Sequence, residues 1–174
     1  PGKTIVEGVL KGGKLVSLKV TPSSRQKDIV NWLGKHPEWK APLPPPVPVS
    51  QGKAITASSQ FHNPGHDPAM ANDGNSATRW SSSMEARSGW LAIDLGAETK
   101  INGVLLSEIE WQETREFAIE IKQGSDWKEI ARGTTIGTDR IVEFPPVTAR
   151  EIRLHVLKAD MPININEFQV LAHQ

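Results

Sequence analysis

The chain has 174 residues, 37% of them hydrophobic, with 20 Lys/Arg against 20 Asp/Glu, so its size allows one or two small domains and its zero net charge advertises neither nucleic acid nor an acidic membrane as partner. It contains no cysteine, which excludes a disulfide framework and a thiolate metal site. No apolar run approaches the length of a membrane span, no signal peptide is present, and the first residue is Pro1, which reads as a fragment of a longer protein.

Charge is uneven along the chain. Residues 1–48 carry eight basic and three acidic side chains, and the remainder carries twelve and seventeen. The basic residues are dispersed, so two pieces of complementary charge fit better than a polyanion-binding arm. In the first piece, Ile5–Leu10 and Leu15–Val20 are alternating apolar runs flanking Lys11-Gly12-Gly13-Lys14, which predicts a hairpin with a glycine turn. Asp28–Leu33 places Ile29, Trp32 and Leu33 on one helical face, with Gly34 as the stop. About 40 residues bury too little surface to fold alone. Residues 1–40 are therefore expected to pack on another domain. Leu43-Pro44-Pro45-Pro46-Val47-Pro48-Val49 favours extended polyproline II, so residues 41–50 read as a semi-rigid linker.

From residue 51 the pattern is strand upon strand. Trp90–Gly96, Ile101–Leu106, Phe117–Ile121, Trp127–Ala131, Arg140–Phe144, Ile152–Val156 and Glu167–Leu171 alternate with period two. Gly124-Ser125-Asp126, Gly137-Thr138-Asp139 and Pro145-Pro146 separate them as turn signals. Regular short strands with such spacing predict an all-β sandwich or barrel, and residues 51–174 are the right size for one jelly-roll β-sandwich.

Several loops carry chemistry worth weighing. Asp73-Gly74-Asn75 with Thr78 reads as a turn, or as a calcium loop in which a tight turn directs carbonyl oxygens inward around the Asp73 carboxylate. His62 and His66 have the spacing of a helical zinc pair, but Asn63-Pro64-Gly65 between them forbids the helix, and a polar surface loop is the better reading. Glu108, Glu110 and Glu113 form an acidic run in which nothing marks one carboxyl as buried and another as solvated, so a glycosidase pair is not indicated. No nucleophile elbow or phosphate loop appears. Trp111 and Arg115 could offer a stacking face and a donor to a sugar, although alternation with Ile109 could equally carry Trp111 inward. Trp32, Trp80, Trp90 and Trp127 are assigned to packing.

Residues 69–82 (AMANDGNSATRWSS), 89–96 (GWLAIDLG), 150–156 (REIRLHV) and 165–170 (INEFQV), in that order, resemble the discoidin-like, coagulation-factor C-type domains that include the family 32 carbohydrate-binding modules. The stretch from Glu108 through Arg115-Glu116-Phe117 to Trp127–Gly137 is similar to the C-terminal module of bacterial α-L-fucosidases, and Gly13–Asp28 resembles the closing sandwich of a bacterial glycoside hydrolase. The resemblance implies a galactose-binding-domain-like fold and a structural calcium held by Ala71, Asp73, Asn75 and Thr78, with Glu167 completing the cage. It also implies a non-catalytic module of a secreted or periplasmic glycoside hydrolase. Its partners would be an upstream catalytic domain and terminal sugars of fucose or galactose type. The expected sugar site is a shallow one, with Trp111 stacking, Arg115 donating and Glu108 accepting, and with weak affinity, on the order of 0.1–10 mM. Galactose-binding relatives commonly carry His after the Thr-x-Trp motif, where this chain has Ser81, and Arg near the position of Glu108. The competing readings are a structural domain that buttresses the catalytic domain without binding sugar, and a membrane-binding discoidin domain. Against the latter, the loop at 59–68 offers only Phe61 as an apolar spike.

Overall fold

The structure is a computed structural model that describes residues 3–11, 14–28, 47–108 and 112–172. It divides into two compact units, residues 1–43 and 44–174. In the first, strands β1 (Ile5–Lys11) and β2 (Lys14–Thr21) pair antiparallel, with Ile5 opposite Thr21 and Lys11 opposite Lys14. Gly12 and Gly13, expected to form the turn, lie outside the described residues. A short 3-10 helix, Ser23–Asp28, follows, and Arg25 Nη1 donates to Thr4 Oγ1 at 3.1 Å. The helix expected over Asp28–Leu33 falls, beyond Asp28, outside the described residues, as do Trp32 and Gly34. The hairpin leaves Ile5, Val6, Val9 and Val16 at least half exposed.

The second unit is almost entirely strand: β3 (Val47–Pro48), β4 (Ala54–Ala57), β5 (Trp80–Ser81), β6 (Gly89–Glu108), β7 (Thr114–Gln123), β8 (Asp126–Gly133), β9 (Arg140–Ala159) and β10 (Asn164–Ala172). All seven alternating runs are strands, but two pairs of them are single long strands. Trp90–Gly96 and Ile101–Leu106 are both in β6, and Arg140–Phe144 and Ile152–Val156 are both in β9. Each long strand serves two sheets. Gly89–Asp94 of β6 lies between β4 and Glu151–Val156 of β9, which continues through β7 to β8. Thr99–Leu106 lies between β10 and Arg140–Ala149. The register shifts between Asp94 and Thr99 mark the bend, where Gly96 takes φ +84° and Asp94 Oδ1 accepts from the Gly96 N–H at 2.8 Å. Strands that pass from one sheet to the other through such irregularities form the corners of a sandwich.

Pro145-Pro146, expected as a turn, sits inside β9 where its register against β6 skips from Glu143 to Val147. A proline cannot donate to a ladder, and an irregular stretch is where a strand tolerates one. The stretch read as a linker also ends sooner than expected. Val47–Pro48 pairs with Leu171 and Ala172 on an edge of β10, the Val49 N–H donates to Val170 O at 2.8 Å, and Ser50 is buried.

The core fills the space between the two sheets. Leu91, Ile93, Ile119, Ile152 and Leu154 come from one, and Ile101, Leu106, Ile165 and Phe168 from the other, all essentially inaccessible. Each contributes about 1.5–3 kcal/mol relative to exposure. Trp80 joins them at 1% exposure, with its indole N–H donating to Ser59 O at 3.0 Å. That bond ties the 58–67 loop to one end of the sandwich.

Candidate functional site

Three loop regions carry the residues singled out in the sequence. The first is the turn after the 3-10 helix Pro68–Ala71. Gly74 has φ +79°, the left-handed region that favours glycine, and a Cβ there would also displace the Gln51 side-chain amide, 2.2 Å away. Asp73 Oδ1 accepts from the Asn75 N–H at 2.8 Å, closing an Asx turn. The Thr78 hydroxyl oxygen lies 2.8 Å from Asp73 Oδ2, 2.7 Å from Asn75 O and 3.4 Å from Met70 O. One hydroxyl proton cannot serve three acceptors, so oxygen lone pairs outnumber donors there.

Facing this turn from β10 is Glu167, 5% exposed. Its Oε2 accepts from Gln169 Nε2 at 2.8 Å, while Oε1 is buried without a partner. Burial raises its pKa above the ordinary value, the neighbouring Asp73 carboxylate pushes the same way, and the bond from Gln169, with the backbone N–H groups of Asn75 and Gly74 nearby, partly opposes them. A buried polar network anchors the region. Asn72 Nδ2 donates to Ser50 O at 2.6 Å, and Ser50 Oγ accepts from the Val170 N–H at 2.7 Å. Asp73, Asn75, Thr78 and Glu167 are thus gathered beside buried Ala71. The donor set is all oxygen, with two carboxylates of like charge, which suits a hard cation.

The second region is the loop between β6 and β7, expected to hold a sugar. Here the structure corrects the role given to Glu108. Its side chain is only 2% exposed and points inward. Oε1 accepts from the Glu113 N–H at 3.0 Å, the Thr114 N–H at 2.8 Å and the Thr114 hydroxyl at 2.9 Å, while Oε2 is buried without a partner. Desolvation raises its pKa. A carboxyl enclosed in this way closes the loop from inside and cannot accept from a sugar in solvent. Arg115 reaches the surface, but Nε pairs with Asp160 Oδ2 at 2.7 Å and Nη1 donates to Gln112 O at 2.7 Å. Its Nε and Nη1 are thus engaged by the protein's own acceptors. Trp111, with Ile109 and Glu110, lies outside the described residues.

The third region was not assigned from sequence. A concave pocket of about 190 Å³ opens at the same end of the sandwich, lined chiefly by Phe61, His66, Arg79, Ser81, Met84 and Asn164. Its walls come from three separate segments, the 59–66 loop, residues 79–84 and residues 162–164. Trp80 holds the 59–66 loop against β5, and Phe61 meets the His66 ring edge-on at 5.3 Å between centroids. The Ser81 hydroxyl lies 3.2 Å from His66 Nδ1 and donates to Asn164 Oδ1 at 2.7 Å. Asn164 Nδ2 in turn donates to Glu113 Oε2 at 3.2 Å, which joins the pocket to the β6–β7 loop. The serine standing where an imidazole was expected therefore has an imidazole beside it, delivered by another loop. Neither ring of the 62–66 pair stands as an isolated metal ligand: His62 meets Phe61 at 4.6 Å between centroids with the rings tilted by 52°, and Asp67 Oδ1 accepts from Gln60 Nε2 at 2.7 Å.

Residues 54–168 match the family model described as F5/8 type C domain. The structure is similar to chitosan-binding module 1 from a chitosanase/glucanase of Paenibacillus sp. IK-5, with TM-score 0.66 and 26% identity over 72% of this chain and 99% of that one. It is similar to a pectin-binding carbohydrate-binding module, with TM-score 0.61 and 28% identity over 70% and 91%. A Ruminococcus gnavus GH29 fucosidase solved with fucose shares TM-score 0.65 and 26% identity over 74% of this chain, but the match spans only 27% of that enzyme. A comparison with curated protein sequences finds no match.

Proposed function

The chain belongs to the F5/8 type C domain family, and from that premise we propose that it is a non-catalytic carbohydrate-binding module whose sugar site is the pocket of Phe61, His66, Arg79, Ser81 and Asn164. The observation that carries this reading is the pocket's make-up: an aromatic ring beside imidazole, guanidinium, hydroxyl and amide groups in one shallow concavity. A pyranose offers apolar C–H faces to a ring and hydroxyls to such donors and acceptors, which is how a largely preformed site fixes a small ligand. Similarity to chitosan- and pectin-binding modules supports a glycan as ligand. Similarity to part of a fucosidase solved with fucose supports a parent glycoside hydrolase. A terminal sugar of fucose or galactose type, and a parent enzyme that works outside the cytoplasm, belong to the same proposal. Phe61→Ala should abolish binding on a glycan array while leaving the melting temperature within a few degrees, because Phe61 is not a core residue. Undiminished binding by that variant would place the site elsewhere.

A structural calcium completes the proposal. Asp73, Thr78 and Glu167 supply side-chain oxygens, and Ala71 and Asn75 supply carbonyls. Such an ion would relieve the repulsion between Asp73 and Glu167 and occupy the unpartnered Glu167 Oε1. Since Arg79 and Trp80 follow Thr78 directly, the ion would also fix the wall of the pocket.

A docking role alongside sugar binding is favoured by one feature, the hairpin β1–β2. Its exposed Ile5, Val6, Val9 and Val16 suit an upstream catalytic domain.

A further inference from the structure

Of the seven arginines in the sandwich, four are neutralised by a carboxylate. Arg115 pairs with Asp160, Arg132 with Glu116 and Glu129, Arg150 with Asp94, and Arg153 with Glu120. Arg87 instead donates to the carbonyls of Met84 and Ala86, and Arg140 to that of Thr135. Arg79 differs from all of these. Among the described residues it has neither an ion-pair partner nor a side-chain hydrogen bond, and its Nε is buried without an acceptor. It is also the arginine that lines the pocket, and none of the pocket's described lining residues is acidic. The nearby carboxylates are engaged elsewhere: Glu113 accepts from Asn164, and Asp67 accepts from Gln60.

A guanidinium stays charged at any physiological pH, and a half-buried one with no counter-ion carries an uncompensated desolvation cost. What it lacks is a planar acceptor of negative charge, the geometry a carboxylate provides. We propose that this pocket selects a sugar bearing a carboxylate, a uronic acid, with Arg79 as the residue that recognises the acid. The inference rests on the sugar site proposed above and names its ligand class. The same charge opposes a glucosamine unit, whose ammonium group would meet Arg79 with no lining carboxylate to balance it. A uronate therefore ranks above the neutral sugar of the same ring, and the neutral sugar above the amino sugar.

Calorimetric titration of the full chain with galacturonate, galactose and glucosamine tests this, with wild type, Arg79→Gln and Phe61→Ala compared. Wild type should bind galacturonate about 10-fold more tightly than galactose at low salt, and added salt should narrow that gap because the distinguishing contact is ionic and open to solvent. Arg79→Gln should lose the preference, weakening galacturonate by more than it weakens galactose; Phe61→Ala should lose both sugars. Should Arg79→Gln fold poorly, Arg79→Lys, which keeps the charge and loses the fork, should retain part of the preference, and the wild-type salt dependence needs no variant. Equal affinity for galacturonate and galactose, a preference that survives Arg79→Gln, or tightest binding of glucosamine would overturn the uronate assignment while leaving the site intact. Unaltered binding by Phe61→Ala would instead overturn the site itself.

Discussion

Glu167 and Glu108 are buried carboxyls, each with one oxygen unpartnered, and they answer different questions. Glu167 bears on the cation. If calcium occupies the 73–78 turn, Glu167→Gln should remove the rise in melting temperature that calcium gives wild type, since a ligand that binds only the native state stabilises it. In chelator the same variant should melt no lower than wild type, because it replaces an unpaired buried charge with a neutral group. A calcium shift that persists in Glu167→Gln would remove Glu167 from the cage. The pH dependence follows from the direction of the shifts. Both carboxyls titrate above 4.5 in the fold, so the stability they contribute is complete below that value and is lost as pH rises through their folded pKa. Asp94 and Glu129 are shifted the other way by Arg150 and Arg132, and stay ionised to lower pH. Metal-free protein should therefore melt higher at pH 5 than at pH 7. The calcium increment should shrink over the same interval, because protons compete for Glu167. A metal-free melting temperature that falls from pH 7 to pH 5 would contradict the burial argument. Glu108 shows what sequence conceals: an acidic residue in an acidic run ordinarily faces water, and only the folded loop reveals the Glu113 and Thr114 donors waiting inside.

Strands were legible because period-two alternation records which face is buried, and each of the seven runs lies in a strand. Bends were not. Gly96 and Pro145-Pro146 look like chain breaks locally, yet β6 and β9 run through them, because the two sheets share those strands and the bend forms the corner. The turn at Asp73–Asn75 was legible from local chemistry, whereas its partner Glu167, more than 90 residues later, came only from family resemblance. The pocket was hidden for the same reason: Phe61, Arg79, Ser81 and Asn164 are separated in sequence and meet only through pairing such as β5 with β10. Element packing gives two further tests. A Cβ on Gly133 of β8 would lie 2.4 Å from Cζ of Phe117, whose ring is fully buried in β7. Gly133→Ala should cost about 1–3 kcal/mol by overpacking, read from denaturant unfolding; a neutral result would mean that the Phe117 ring has room to shift. In the hairpin, β1 and β2 pair only with each other among the described residues, and two strands alone are marginal. Their amides should exchange with solvent far faster than those of β6 and β9, and equal protection would contradict that.

At the scale of the molecule, the sandwich is a rigid frame whose loops at one end carry the chemistry, the usual division of labour between scaffold and function. The oxygen-rich turn leads directly into Arg79 and Trp80, Trp80 anchors the loop bearing Phe61, and β10 brings Asn164 and Glu167. The proposed ion site and the pocket would therefore be built from consecutive stretches of one chain, and loosening the first should blunt the second. The expected site around Glu108–Arg115 is a neighbour of the pocket, joined to it through Glu113 and Asn164. The most direct test of sugar binding at this pocket is to follow the amide resonances of the whole chain while titrating galactose, fucose and galacturonate. Sugar binding at the pocket predicts saturable shifts concentrated at Phe61, His66, Arg79, Ser81 and Asn164, with the separate concave face lined by Arg115, Glu116, Arg132 and Lys158 unmoved. Shifts confined to that other face, or none with any of the three sugars, would contradict it.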